Sequence, residues 1–242
     1  MKTITRLSAI LLLIFFTNNK AAAQVELGLQ AGIALPKFSP GKYVANGYYN
    51  SMSTSYYIGY NFGVVSNIKL SKKLSLQPAV LISSDGTRMD AVFSYFDTSS
   101  RRMQLIYLKI PVNMVYKWAI NKKHYAFAGG GLYVARGLWG AEVGHGNTSD
   151  ISYSLADRII FRNNDPGETI PTNLKPYDFG FNILAGIQIN EFEIVAGYSR
   201  GITDVFSNSE LYNAKYKNAV FNLSARYYIH YLPVWSKNTK SK

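Results

Sequence analysis

The 242-residue chain contains no cysteine. That excludes a disulfide framework, a cysteine-ligated metal and a lipid anchor on an N-terminal cysteine. It also has few acids, 14 Asp and Glu against 26 Lys and Arg, and only three histidines. Three histidines leave little material for histidine-based catalysis or metal binding. Nor does any apolar run approach the roughly twenty residues that a spanning helix needs. The longest, Leu7 to Phe16, is about half that length and sits at the extreme N-terminus.

That first stretch, MKTITRLSAILLLIFFTNNKAAAQ, has a basic start at Lys2 and Arg6. An apolar centre follows, and then a small-residue cleavage site at Ala21-Ala22-Ala23. It predicts a secretory signal peptide over 1–23, leaving 24–242 as one mature domain. The formal net charge is +12, and Lys2, Arg6 and Lys20 leave with the leader, so the mature chain carries +9. A basic exported chain is expected to meet anionic lipid, with no nucleic acid partner.

What is abundant is alternation. In QLIYLKIPVNMVYKW, Ile106, Leu108, Ile110, Val112, Met114, Tyr116 and Trp118 share one parity. Tyr107, Lys109, Pro111, Asn113, Val115 and Lys117 share the other. Successive side chains of a strand point to opposite faces, so this is a long amphipathic strand with one wholly apolar face. A helical period would put the lysines inside any apolar stripe. The pattern recurs in VELGLQAGIAL, IGYNFGVVSNIKL, LSLQPAVLIS, YDFGFNILAGIQIN, FEIVAGYSR and NAVFNLSARYYIHY. HYAFAGGGLYVARG, 124–137, is an eighth strand whose glycines blur the register.

Connections alternate in length. Ser71–Lys73, Ala119–Lys123 and Asn190–Glu191 are short; Pro36–Ser55, Gly86–Ser100, Leu138–Pro176 and Ile202–Lys217 are long. An even antiparallel meander with short turns on one side and long loops on the other is the layout of an outer-membrane barrel. A soluble barrel would turn its apolar face inward. Three features favour apolar-out: unbroken apolar faces ending in aromatics, opposite faces rich in Gly, Ser, Asn and Gln, and the unequal loops. The expected fold is an all-β, eight-stranded, antiparallel up-and-down transmembrane barrel with both mature termini periplasmic. Pro111, lacking a ladder donor, should mark a bulge or a local break in pairing.

The strand YLKIPVNMVYKW, with its Ile-Pro-Val core and basic-aromatic end, resembles the PorT-like outer-membrane β-barrel family of Bacteroidetes-type bacteria. VELGLQAGIAL, LSLQPAVLIS followed by Gly86, AFAGGGLYV, and YDFGFNILAGIQI leading to VAGYSRGITDV extend the likeness over most of the mature chain. Lys109 departs from it, because the family often has an acid there. The resemblance implies an eight-stranded outer-membrane barrel and a link to type IX protein secretion.

An eight-stranded barrel has an interior that side chains fill, which argues against a diffusion pore. The lumenal charges Glu26, Lys69, Lys109, Lys117, Asp178, Glu193 and Arg226 are expected to pair with one another, as buried charges require. Arg88, Arg101, Arg102, Arg136 and Arg200 fall at the long-loop ends of strands, where lipopolysaccharide phosphates would be the natural bidentate ligands. Lysines gather at the other end and in the tail. An enzyme is not expected: His124 and His230 lie at the short-turn end, and His145 has only Glu142 close in sequence. The glycine run 129–131 lacks a nucleotide-loop context, and Asn163–Glu168 lacks calcium-loop spacing, so no cofactor or metal is expected. The expected function is a non-enzymatic structural or adaptor role at the cell envelope, with outer-membrane lipid and a secretion or surface-complex protein as partners; the alternative is a lipopolysaccharide or small-ligand binder, and after it a lipid A-modifying barrel enzyme. Leu138–Pro176 would be the first place to look for recognition.

Overall fold

A computed structural model describes residues 25–39, 42–43, 51–92, 98–121, 123–148, 151–162, 173–206 and 215–229. The expected leader, Lys122, the stretch 163–168, His230, Tyr231 and the tail lysines Lys237, Lys240 and Lys242 lie outside those residues.

Eight long strands close into a ring: β1 (Val25–Ser39), β4 (Gly59–Lys69), β5 (Leu74–Val92), β6 (Thr98–Ala119), β7 (His124–Thr148), β10 (Tyr177–Ile189), β11 (Phe192–Gly201) and β12 (Lys217–Ile229). Each pairs antiparallel with the next, and β12 returns to β1 from Leu27↔Ile229 to Ser39↔Lys217. Closure leaves no sheet edge within the ring, the condition that hydrocarbon imposes on a spanning sheet. Both ends of the described chain lie at the short-turn end. Asn190 takes a left-handed φ of 54° in the two-residue turn between β10 and β11, as tight hairpins demand.

The barrel is inside-out. Leu29, Ile33, Phe62, Val80, Val112, Leu132, Ile183, Ile194 and Leu223 all face outward and are exposed. Asn61, Gln77, Lys109, Asn113, Asn182, Glu193, Ser224 and Arg226 face inward and are buried. Tyr60, Tyr116, Trp118, Tyr177 and Tyr227 punctuate the outer belt, as aromatic girdles do.

The strands are longer than the alternation suggested, and unequal. β4 and β11 run 11 and 10 residues, near the roughly 9–11 needed to cross a bilayer, whereas β5, β6 and β7 run 19, 22 and 25. The expected loops Gly86–Ser100 and Leu138–Pro176 are therefore largely sheet. Beyond the ring, β2 (Lys42–Tyr43) and β3 (Ser51–Ser55) join β5, and β8 (Ile151–Phe161) joins β7, with β9 (Asn173–Leu174) parallel to its end. This open sheet, β2-β3-β5-β6-β7-β8-β9, stands above the barrel as a wing. Gly86, expected to open a long loop, instead sits within β5. Its φ is 127°, and a Cβ there would meet the Met103 carbonyl at 2.1 Å, so only glycine fits the close approach.

Two irregularities shape the wing. Tyr107 pairs with Gly137 but Ile106 pairs with Trp139, leaving Leu138 as the extra residue of a β-bulge. Below it Tyr133 and Ala135 face inward; above it Gly140 and Glu142 do. Pro111 causes no shift. It stays in register with Tyr133, and the β5–β6 ladder lapses beside it, between Pro78↔Val112 and Leu81↔Lys109. The mouth below the wing is stopped by an apolar core of Phe38, Met103, Leu105, Leu174, Phe206 and Tyr216 with their neighbours. Phe38, Phe206 and Tyr216 meet ring on ring, with centroids 5.5–6.5 Å apart.

Candidate functional site: the sealed lumen and the basic rim

The lumen is built in layers, and strand register decides who meets whom. At the short-turn end Glu26 takes Lys69 Nζ at 2.6 Å on one oxygen and Asn67 Nδ2 at 2.6 Å on the other. The next layer centres on Glu193, which is fully buried. Lys117 Nζ donates to its Oε1 at 2.9 Å, Tyr228 Oη to its Oε2 at 3.1 Å, and Arg226 Nη1 to Oε2 at 3.4 Å. Arg226 stands directly between Glu193 and Gln30 in the sheet register, and its remaining donors reach Gln30 at 2.7 Å and Gln77 at 2.9 Å. Phe127, Val115, Leu184 and Val195 pack beside this layer.

Mid-lumen is amide and hydroxyl. Gln30 and Ser224 both donate to Asn61 Oδ1, at 2.8 and 3.1 Å; Ser199 donates to Asn182 and Asn182 to Asn113, at 2.7 and 3.2 Å. Gln30, Asn61, Asn113, Asn182 and Ser199 help line a cavity of about 50 Å³. That is room for a few waters at most, at roughly 10–15 Å³ each.

The upper layer departs from expectation. Lys109 does not pair with a residue of the predicted set. Its Nζ donates to Asp85 Oδ2 at 2.9 Å, while Ser83 Oγ donates to Asp85 Oδ1 at 2.5 Å. Both partners are almost wholly buried. Asp178 forms no salt bridge with a lysine or arginine among the described residues. It is held by Tyr133 Oη at 2.9 Å, Asn218 Nδ2 at 3.0 Å and Thr203 Oγ1 at 2.9 Å. Sequence reasoning missed Asp85 because the strand was ended at Ser83; carrying the parity Ser75, Gln77, Ala79, Leu81, Ser83 one step further points Asp85 inward. Tyr133 and Tyr228 were equally recoverable from parity, whereas their carboxylate partners come from strands distant in sequence.

The five rim arginines divide. Arg101 turns into the wing: Nη1 donates to buried Glu142 Oε1 at 3.2 Å and Nε to Ser99 at 3.2 Å. Arg101 shares the inward parity of Met103 and Leu105, so of the five candidate phosphate contacts it is the one whose guanidinium is engaged inside the wing. Burial raises the Glu142 carboxyl above its ordinary value, and the neighbouring Arg101 opposes that shift. Glu142 stands in the wing, beyond the apolar belt, and its Oε2 has no hydrogen-bond partner among the described residues. Arg88, Arg102 and Arg136 are exposed on the outer face, and Arg200 is half-exposed there beside Ala219 and Phe181. Lys37 joins them, its Nζ 4.4 Å from the Tyr56 ring centroid. His145 and Glu142 lie on opposite faces of β7, so the one histidine-acid pair visible in sequence does not meet. His124 is a turn residue bonded to Asn121 at 2.8 Å.

A closed antiparallel ring with an apolar exterior and a polar, filled interior is the architecture of one class of envelope protein, and the sequence carries its signature. The profile described as outer membrane protein beta-barrel domain matches residues 16–207. The chain belongs to that family. Membership places the protein in the outer membrane. Solved barrels of similar form include Ail, the attachment invasion locus protein of Yersinia pestis, at 13% identity, covering 85% of this chain and 99% of that one, with a TM-score of 0.37. OprG of Pseudomonas aeruginosa shares 8% identity over 88% of this chain and 100% of its own, with a TM-score of 0.42. The outer membrane protease OmpT of Escherichia coli shares 10% over 88% and 99%, with a TM-score of 0.38. No curated protein matches the chain.

Proposed function

We propose that this barrel is a non-enzymatic structural or adaptor protein of the outer membrane that works through its wing and not through a pore. The carrying observation is the sealed lumen: two buried ion-pair layers, a closed amide layer between them and an apolar stopper at the mouth. The signal-peptide pattern supports export of 24–242 with removal of 1–23. Short turns beside the termini support periplasmic ends and an external wing, since barrels of this class keep short turns on the periplasmic side. The PorT-like residues of β6 support a place beside type IX protein secretion. Deleting the gene and comparing secreted and surface-anchored proteins with the parent tests this role. Cargo retained in the periplasm is expected; an unchanged secretome removes the secretion link.

A second reading rests on Arg88, Arg102, Arg136 and Arg200. They are outward guanidiniums at or just above the upper edge of the apolar belt, where lipopolysaccharide phosphates lie, and guanidinium binds phosphate in bidentate fashion. Lipopolysaccharide co-purifying with the parent and lost from an Arg136→Ala/Arg200→Ala variant is the outcome expected.

A further inference from the structure

One outward patch of the wing differs from the rest of the basic rim. Arg88 and Arg102 are direct cross-strand partners in the β5–β6 register, and both side chains point outward and are exposed. Like charges placed directly opposite destabilise a sheet. Among the described residues one acid touches the pair, Asp90, with its Oδ1 3.5 Å from Arg88 Nε and half exposed; Arg102 has none. One row further from the barrel, Ser100 pairs with His145, and one row nearer, Gln104 pairs with Ala141. With exposed Val143, the direct partner of Arg102 in β7, these residues other than Asp90 line a groove of about 430 Å³.

Its height is informative. The belt ends on this side at Ile106, paired with Trp139. Arg102 stands four positions beyond Ile106, about 13 Å along the strand at roughly 3.3 Å per residue. With a strand tilt of about 40°, that is on the order of 10 Å above the hydrocarbon edge, just outside the roughly 5–8 Å headgroup layer of a phospholipid leaflet and at a height that a saccharide extending from the surface reaches.

We propose that this groove binds a phosphate carried on a sugar, the chemistry of a phosphorylated saccharide headgroup in the outer leaflet. It deepens the basic-rim reading and rests on it. Two guanidinium forks offer paired donors to the phosphate oxygens and relieve their mutual repulsion by sharing the anion. His145 adds a ring donor. Ser100 and Gln104 are placed to hydrogen-bond sugar hydroxyls, and Ala141 leaves the floor low enough for a sugar ring to approach. Arg136 and Arg200 are single outward cations with no second guanidinium opposite, so they should hold a headgroup without reading its sugar.

The test uses full-length protein in phosphatidylcholine nanodiscs, titrated with glucose 1-phosphate and with inorganic phosphate. Saturable binding of glucose 1-phosphate at least tenfold tighter than inorganic phosphate is expected. Arg88→Ala/Arg102→Ala should lose tenfold or more, Arg88→Lys/Arg102→Lys an intermediate amount, and Lys72→Ala/Lys73→Ala, in a short turn at the opposite end of the barrel, nothing. Equal affinity for the two probes overturns the saccharide assignment in favour of free phosphate. Equal losses in the two alanine pairs, or no saturable binding, overturns the groove. Retention of lipid A in mixed nanodiscs separates the two levels. Loss in Arg136→Ala/Arg200→Ala alone sinks the groove and keeps the rim; no loss in any variant sinks both.

Discussion

Two buried carboxylates have environments that a single substitution can interrogate. Asp85→Asn leaves Lys109 buried without its ion-pair partner, which costs about 3–5 kcal/mol, whereas replacing both partners together by apolar residues is near neutral. Urea unfolding in lipid vesicles should therefore show Asp85→Asn far below the parent, and Asp85→Leu/Lys109→Met close to it. Equal losses in the two variants would remove the pair from the account of lumen stability. Glu142 tests the wing. A carboxyl raised above its ordinary value binds more protons folded than unfolded, so its contribution is fullest below the unfolded value of 4.5 and declines as pH rises through the folded value. The parent should gain stability relative to Glu142→Gln as pH falls from 7 toward 4.5. A constant gap between their urea midpoints would show that Glu142 does not titrate in that window. Asp85 was within reach of the sequence, because parity alone aims it inward. Its bond to Lys109 was not, because that depends on β5 and β6 aligning at Leu81↔Lys109.

At the scale of an element, the bulge at Leu138 carries the most consequence. One extra residue flips the faces of everything above it in β7, because the side-chain period of a strand is two. Deleting Leu138 would regularise the ladder and keep Glu142 inward, whereas inserting one alanine after Leu138, with the one-residue bulge kept, should send Glu142 outward and Val143 inward, against Met103 and Arg101. The wing would then lose its inner face while the ring below keeps its own. Limited trypsin digestion should cut such a variant at Arg101, Arg102 or Arg158, sites within the wing, and leave the barrel core intact. A digestion pattern identical to the parent's would show that the bulge is not what sets the wing. The blurred glycines of 124–137 conceal this in the sequence. They allow the close approaches of Gly129 and Gly131 to the β6 carbonyls, at 2.2 and 1.9 Å for an added Cβ, but they have no side chain to mark a face.

Across the whole molecule, the filled lumen makes a plain electrical prediction. In planar bilayers the protein should give no steps above leak, because eight strands leave room only for side chains and here those side chains are bonded to one another. Regular porin-sized steps would contradict the sealed interior and with it the proposed adaptor role. The asymmetry of the molecule points the same way: the tall half, β5 to β8, offers a two-faced sheet above the membrane, while β4, β10, β11 and β12 stop near the belt.

What the sequence determined by itself is whatever period two can encode: eight crossing strands, an apolar exterior, a polar interior, and which end carries the short turns. Parity is local, so each strand announces its own faces without reference to its neighbours. Tertiary structure decided the rest. Lys109 finds Asp85, Arg101 turns inward to Glu142, and residues expected in loops become a wing and a stopper. Those outcomes depend on register across closed hydrogen-bond ladders, and register is fixed only when the ring closes and every strand settles against two others at once.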